Sequence, residues 1–155
     1  FAKRIARSIV KCRKLRLIKS TKELSKLINE SIPKIVSKKT KTNPSTKTFQ
    51  ALRIYVNDEL NELKIALKKT TQLLKKKGKL IVVSFQSLED RIVKDFFNHQ
   101  SGKRWRSSRH YPDLAEKGPI IFKLITKKPI RPQELEVQKN PRSRSAKLRV
   151  VEKIN

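Results

Sequence analysis

The sequence predicts an α/β fold with three strands and several amphipathic helices. A short apolar run at residues 80–83 follows Gly78, predicts a buried strand over residues 79–84, and leads into polar side chains that begin a helix. Residues 119–126 predict a second strand, and residues 145–152 alternate apolar and polar side chains as a third strand does. Ligands of open α/β sheets bind where strands deliver their carboxyl ends, so we expect a site just after residue 83.

Two helices are predicted at the beginning of the chain. Apolar residues recur at helical spacing along residues 1–13, and the other side of that helix is basic. Ser20 and Glu23 have the spacing of a capping box, in which the Glu23 carboxylate reaches back to the Ser20 amide. The helix that they begin is expected to stop at Pro33.

A basic, polar linker at residues 37–46 predicts a domain boundary, which divides the chain into residues 1–42 and 43–155. One long helix is predicted from Thr46 to about residue 74. Its end is marked by three lysines, which suit the carboxyl-terminal dipole, and by Gly78, which suits the cap.

Another helix is predicted after the first strand. Ser87 and Asp90 have capping-box spacing, and the helix that they begin is expected to run to about residue 98. Its buried face is predicted to consist of Leu88, Ile92 and Phe96, with Val93 beside them. Residues 133–137 predict one short helical turn.

The charge of the chain favours a polyanionic partner. Lys and Arg total 40 of the 155 residues against 13 acidic residues, which gives a net charge of +27. An AT-rich coding sequence would also enrich Lys, but the basic residues here lie among turns and aromatics, which favours nucleic-acid binding.

Several other classes of protein are disfavoured. Cys12 is the only cysteine, which fits a reducing cytoplasm, and the longest apolar run is far too short for a membrane span. The two His residues and Cys12 have no metal-ligand spacing, so no metal site is expected. The segment after the first strand lacks the glycines of a hydrolase nucleophile turn. The chain has no Met and begins with Phe1, so we interpret it as a piece of a longer protein.

Three segments resemble the MraW (RsmH) family, which methylates N4 of a cytosine in 16S ribosomal RNA. They are residues 43–54 (NPSTKTFQALRI), 84–91 (SFQSLEDR) and 140–149 (NPRSRSAKLR), in the family's order. Residues 1–10 also resemble the first helix of the family's inserted helical domain. The chain departs from the family at positions 43 and 86, where His is usual, and at Lys47, where Arg is usual.

The resemblance implies the carboxyl-terminal half of a class I (Rossmann-like) methyltransferase sheet, with part of an inserted helical substrate-recognition domain. The family's cofactor is S-adenosyl-L-methionine, and its main contacts are expected upstream of Phe1. The isolated chain is therefore expected to be inactive. Its implied partners are 16S ribosomal RNA or the small ribosomal subunit, and the missing amino-terminal half of the enzyme, in the cytoplasm.

The catalytic candidates are Ser84 and Gln86, which lie where the first strand ends. Gln86 offers both a donor and an acceptor to a base edge. Ser87 is interpreted as a helix cap with Asp90 as its partner, and Glu89 as compensation of the helix dipole.

Basic residues and one aromatic are the candidates for RNA contact: Lys47, Arg53, Arg91, Arg104, Trp105, Arg106, Arg142, Arg144 and Lys147. Trp105 could equally anchor its loop as a buried indole. The basic residues of segment 140–149 could form salt bridges to the sheet edge instead.

Two alternative functions remain open at this stage. The charge is also compatible with a non-catalytic basic RNA-binding module, either a decayed remnant or a ribosome-associated protein. A split enzyme whose other half is a separate chain is a third possibility.

Overall fold

The structure, a computed structural model, describes residues 1–33, 43–103 and 119–154. It contains two compact units, unit 1 (Phe1–Glu59) and unit 2 (Leu60–Asn155), and each is described by itself. Both helices and strands are present, so the prediction of a mixed helix-and-strand structure is confirmed.

Unit 1 is helical. It consists of α1 (Ala2–Leu15), α2 (Thr21–Ser31) and α3 (Ser45–Val56). Its core consists of Ile5 from α1, Ile28 from α2 and Ile32 just after α2. Phe49 of α3 packs against these isoleucines. The first two predicted helices are confirmed to within about two residues of their ends.

The amino-terminal cap of α2 is confirmed in its main feature. The Ser20 hydroxyl accepts a hydrogen bond of 3.1 Å from the Glu23 amide. The Glu23 carboxylate accepts instead from the Lys19 amide at 3.0 Å, one residue before the predicted donor, and forms an ion pair with Arg16. This ion pair draws the carboxylate away from the Ser20 amide.

The single long helix predicted from Thr46 is wrong. The structure has two helices, α3 and α4 (Glu59–Leu73), which are separated at Asn57 and Asp58. Asp58 adopts a φ of 49°, a left-handed conformation that short polar side chains tolerate better than most residues do. The break contains neither Gly nor Pro, and the apolar periodicity continues across it in the sequence. The sequence pattern therefore gave no sign of the break.

The sheet of unit 2 contains β1 (Lys79–Ser84), β2 (Phe122–Leu124) and β3 (Lys147–Lys153), in the order β1-β3-β2. β3 runs antiparallel to both neighbours, with Ser84 opposite Lys147 and Phe122 opposite Lys153. The predicted bounds of β1 are confirmed, whereas β3 begins two residues later than predicted, after a 3₁₀ turn at Pro141–Ser145.

β2 covers three residues of the predicted strand 119–126. It ends two residues earlier than predicted because its hydrogen-bond ladder with β3 is interrupted after Leu124. The Ile125 and Thr126 amides both donate to the Val150 carbonyl, and the Thr126 hydroxyl accepts from the Val150 amide at 2.9 Å. Pairing resumes at a single bridge between Ile130 and Leu148. This local disruption has the features of a β-bulge.

The core of unit 2 lies between the sheet and α5 (Ser87–Gln100). The buried residues come from helices and strands alike: Leu67, Val93, Phe97, Phe122 and Val151. Leu88 is 47 % exposed, so its predicted burial is wrong. Val93 and Phe97 lie one turn apart at the centre of the buried face, whereas Ile92 and Phe96 lie on its flank, which Leu88 shares.

The turn between α4 and β1 requires Gly78 for space. A Cβ atom at this position would lie 2.7 Å from the Lys75 carbonyl oxygen, while Lys77 adopts the left-handed φ of 65°. The short helix predicted at residues 133–137 is confirmed as α6 (Glu134–Lys139).

Candidate functional site

The carboxyl end of β1 is where two distant segments of the chain meet. Ser84 ends β1, and its partner Lys147 begins β3. Beside them lies a cavity of about 270 Å³, which we call the strand-end cavity. Its lining residues are Phe85, Ser87, Arg131, Arg144, Ser145, Ala146 and Lys147. Segments 84–91 and 140–149 therefore contribute to one concave site, at the place where the sequence predicted a ligand.

The turn from β1 into α5 is held by Glu89. Its carboxylate accepts from the Gln86 amide at 3.2 Å and from the Phe85 amide at 3.3 Å. Gln86 is the residue that precedes the helix, and Ser87 is the first helical residue. The predicted pairing of Ser87 with Asp90 in a cap is therefore wrong, because the capping frame begins one residue earlier.

Asp90 instead joins α5 to β3. Its two carboxylate oxygens accept from Arg149 Nε at 2.7 Å and Nη2 at 3.3 Å, and Lys147 Nζ donates at 3.1 Å. Asp90 is only 9 % exposed and Arg149 only 8 %. We call these three residues the Asp90 brace. A bidentate contact between buried partners fixes the first turn of α5 on the sheet next to the strand-end cavity.

The brace changes the titration of its carboxylate. The hydrogen bonds from Arg149, opposed by burial and reinforced by Lys147, hold the pKa of Asp90 below its ordinary value. The folded state therefore prefers the ionised carboxylate more strongly than the unfolded chain does.

A loss of stability in acid is the expected consequence. Because the pKa of Asp90 is depressed, its contribution is present above the unfolded value of about 3.9 and is lost as the pH falls through the folded value. Urea unfolding between about pH 3 and pH 7 should show a steeper acid decline for the native chain than for Asp90→Asn. Equal declines in the two proteins would contradict this assignment.

The two catalytic candidates lie at this same strand end. Ser84 is buried. Gln86 lies between Phe85 and Ser87, which both line the strand-end cavity. Its Oε1 atom is buried and faces the Glu89 amide in the capping box, but it completes no hydrogen bond within residues 1–33, 43–103 and 119–154. A buried acceptor without a partner is costly, so it is often explained by a ligand.

The predicted RNA-contacting residues of unit 2 have different surroundings. Arg144 is exposed and lines the strand-end cavity, and Lys147 lines it while also binding Asp90. Arg142 is exposed on the 3₁₀ turn, and Arg91 is exposed on α5. Arg104, Trp105 and Arg106 lie outside the described residues.

The predicted RNA-contacting residues of unit 1 lie on α3. Lys47 is exposed in the first turn of this helix. Arg53 donates to Glu59 at 2.7 Å and 3.3 Å, and its hydrogen bond lowers the pKa of the Glu59 carboxyl. Much of the Arg53 charge is therefore already compensated within unit 1.

Two functional residues were missed by the sequence-based interpretation. Arg131 lines the strand-end cavity, and Arg149 is the main partner of Asp90. Arg149 carried a usable signal, since it lies between Leu148 and Val150 in an apolar strand and a buried cation requires an acidic partner. Arg131 carried none beyond its place before Pro132.

No three His, Cys, Asp or Glu side chains in the described ranges are placed to share a metal ion. Across the same residues, no helix has both the length and the apolarity needed to cross a membrane.

Comparison with known proteins identifies the family. The MraW methylase family matches residues 1–154. A protein named ribosomal RNA small subunit methyltransferase H from Oenococcus oeni is 50 % identical over 99 % of the chain, and one from Caldicellulosiruptor saccharolyticus is 47 % identical over 99 %. These matches cover 48 % and 49 % of the two relatives, so the chain spans about half their length. The resemblance seen in the three sequence segments is confirmed, and the chain belongs to the MraW methylase family.

Proposed function

We propose that this chain is the RNA-holding part of a cytoplasmic methyltransferase that uses S-adenosyl-L-methionine to methylate N4 of a cytosine in 16S ribosomal RNA. The observation that carries the proposal is the family match over nearly the whole chain, together with relatives named as methyltransferases of small-subunit ribosomal RNA. The strand-end cavity supports it, because cations line a concave site at a strand end.

We propose further that residues 43–155 are the carboxyl-terminal half of a class I methyltransferase core and that residues 1–42 belong to an inserted helical domain. The antiparallel β3 between β1 and β2 supports the first assignment, since the last strand of such sheets folds back. Within the described residues, β1 has a sheet neighbour on one side only, and Ile81 and Val83 are 58 % and 50 % exposed. An amino-terminal half could extend the sheet at this edge.

The residues that the structure describes do not fit the methyl donor. The donor is a sulfonium cation, whereas Arg131, Arg144 and Lys147 give the strand-end cavity a positive lining. Gly78 lies in the turn before β1, and Gly102 lies after α5 with a φ of 69°. Neither follows a strand as the first glycine of a cofactor loop does. We therefore assign the donor contacts to an amino-terminal half.

The substrate side of the reaction is assigned to the strand end. A cytosine must leave its stack to enter such a site. Its N4 amino group is a hydrogen-bond donor, and Gln86 Oε1, which completes no hydrogen bond with the Glu89 amide that it faces, is an acceptor that could hold it. Arg131 and Arg144 could hold the phosphate of the same nucleotide. The Asp90 brace would position both groups, and Ser84 is a further candidate for base contact.

The direct test joins the chain to the amino-terminal portion of the Oenococcus oeni relative. The fusion should transfer labelled methyl groups from S-adenosyl-L-methionine to unmethylated small ribosomal subunits, and mass spectrometry should locate the label on N4 of a cytosine. The chain alone should neither bind the donor in calorimetric titration nor transfer methyl groups.

Two results would contradict the proposal. Tight donor binding by the chain alone would refute the assignment of the donor contacts. A folded, donor-binding fusion that leaves 16S ribosomal RNA unlabelled would refute the activity.

A non-catalytic RNA-binding module is the second candidate. It is favoured by Asn43 and Gln86, which stand where the family usually has His, and by the net charge of +27. A fusion that binds both donor and small subunits without methyl transfer would support it, and rescue of transfer by Gln86→His would locate the defect.

A further inference from the structure

We propose that one face of α1 is a binding surface for RNA phosphates, an inference that rests on the proposed function for the identity of the polyanion. This α1 basic face consists of Lys3, Arg7, Lys11 and Lys14, all of which are exposed. At 3.6 residues per turn they fall on one side of the helix, opposite the buried Ile5. Arg7, Lys11 and Lys14 border a shallow groove of about 360 Å³.

The charges of the α1 basic face work against the helix that carries them. Lys3 lies in the first turn, where the helix dipole disfavours a cation, and that turn contains no acidic residue. Lys3 and Arg7, like Arg7 and Lys11, are like charges four residues apart, which destabilises a helix. None of the four forms an ion pair within the part of the chain that the structure describes. A row of phosphates would relieve this repulsion.

The packing of α1 favours RNA over a membrane surface as the occupant. A helix that binds a membrane inserts its apolar face into the lipid boundary. The apolar face of α1 is instead used within unit 1, where Ile5 packs with Ile28 and Ile32 of α2 and its carboxyl-terminal cap. The face that remains carries four cations over roughly 16 Å, with Ala6 and the exposed Val10 between them in the groove, and this row of charges suits a phosphate backbone.

The test compares two triple variants of the full chain that lose the same charge. Arg7→Gln, Lys11→Gln and Lys14→Gln remove the α1 basic face, and Lys64→Gln, Lys68→Gln and Lys69→Gln remove three exposed cations of α4. Filter binding to transcribed 16S RNA at several salt concentrations should show about 10- to 100-fold weaker binding for the α1 variant. Its salt slope should shrink by about 2 to 3, with far smaller changes for the α4 variant.

The stability of the α1 variant separates RNA binding from a structural role. Its melting temperature should be equal to or above that of the native chain, because like-charge repulsion has been removed. Equal weakening of RNA binding in both triple variants would overturn the inference in favour of a net-charge effect. Binding to phosphatidylserine vesicles that depends on α1, without such dependence for RNA, would overturn it in favour of a membrane.

Failure of the α1 binding surface can be distinguished from failure of the proposed methyltransferase activity. A fusion that methylates 16S ribosomal RNA while its α1 variant keeps full RNA affinity would refute this inference alone. Selective loss of RNA affinity in the α1 variant, with no methyl transfer by the native fusion, would refute the activity and support the binding surface.

Discussion

The Asp90→Asn substitution is expected to lower the free energy of unfolding of unit 2 by roughly 3 kcal/mol, because it leaves Arg149 buried without a charged partner. Lys147 would also lose its acceptor. This loss of stability should lie toward the lower end of the range of about 3 to 5 kcal/mol that is typical of broken buried ion pairs. The Lys147 side chain keeps 26 % exposure, so water can reach it. Urea unfolding at neutral pH measures this change.

The matched control is Asp95→Asn, which removes the same charge from the same helix at a residue outside the Asp90 brace. It should change the stability by less than about 0.5 kcal/mol. A double-mutant cycle of Asp90→Asn with Arg149→Met should reveal a coupling energy of about 1 to 3 kcal/mol, as expected for residues in contact. Additive effects of the two substitutions would show that the contact carries no stabilising interaction.

Gln86→Met in the fusion enzyme is expected to lower methyl transfer by about 10- to 100-fold, the value of a hydrogen bond to a group that gains charge. Positive charge develops on the cytosine amino group as it attacks, so an acceptor beside it is worth most in the transition state. The same substitution should change stability by less than about 0.5 kcal/mol, because Gln86 Oε1 completes no hydrogen bond with the Glu89 amide that it faces in the capping box. Transfer assays and thermal melts of one preparation measure both effects.

Gln138→Met on the exposed surface of α6 is the control for the change of residue type. Gln86→His, which introduces the residue usual in the family, should keep or raise the transfer rate. Full transfer by Gln86→Met would remove Gln86 from the substrate site, and a parallel loss of stability would indicate a structural role instead.

The sequence predicted helices and strands well where the apolar spacing agrees with residues that begin or end an element, such as Gly, Pro and helix-capping Ser. Gly78 and the apolar run after it define β1, and Pro33 and Ser20 define α2. The break at Asp58 was not predictable in the same way, because its left-handed backbone needs no Gly and the apolar pattern passes through it. A local pattern reports which residues can form a helix and not where the chain must turn.

The candidate site was predicted in position but not in its contacts. The segments around Ser84 and Lys147 were both singled out, and the ladder places these two residues opposite each other. The partner of Asp90 could not be predicted, since Arg149 lies 59 residues away and only the antiparallel register brings it near. The one-residue shift of the cap follows from this contact, because Asp90 is occupied by Arg149 and Glu89 is left to bind the Gln86 amide.

The central position of β3 affects how the protein is made. β1 and β2 each pair with β3 and not with each other, and β3 follows both of them in the chain. On the ribosome, residues 79–84 therefore emerge long before their hydrogen-bonding partner has been translated. Such non-local pairing slows folding and leaves strand edges open to association with other nascent chains. Protection of β1 by a chaperone or by an earlier strand would therefore favour correct folding until β3 has been translated.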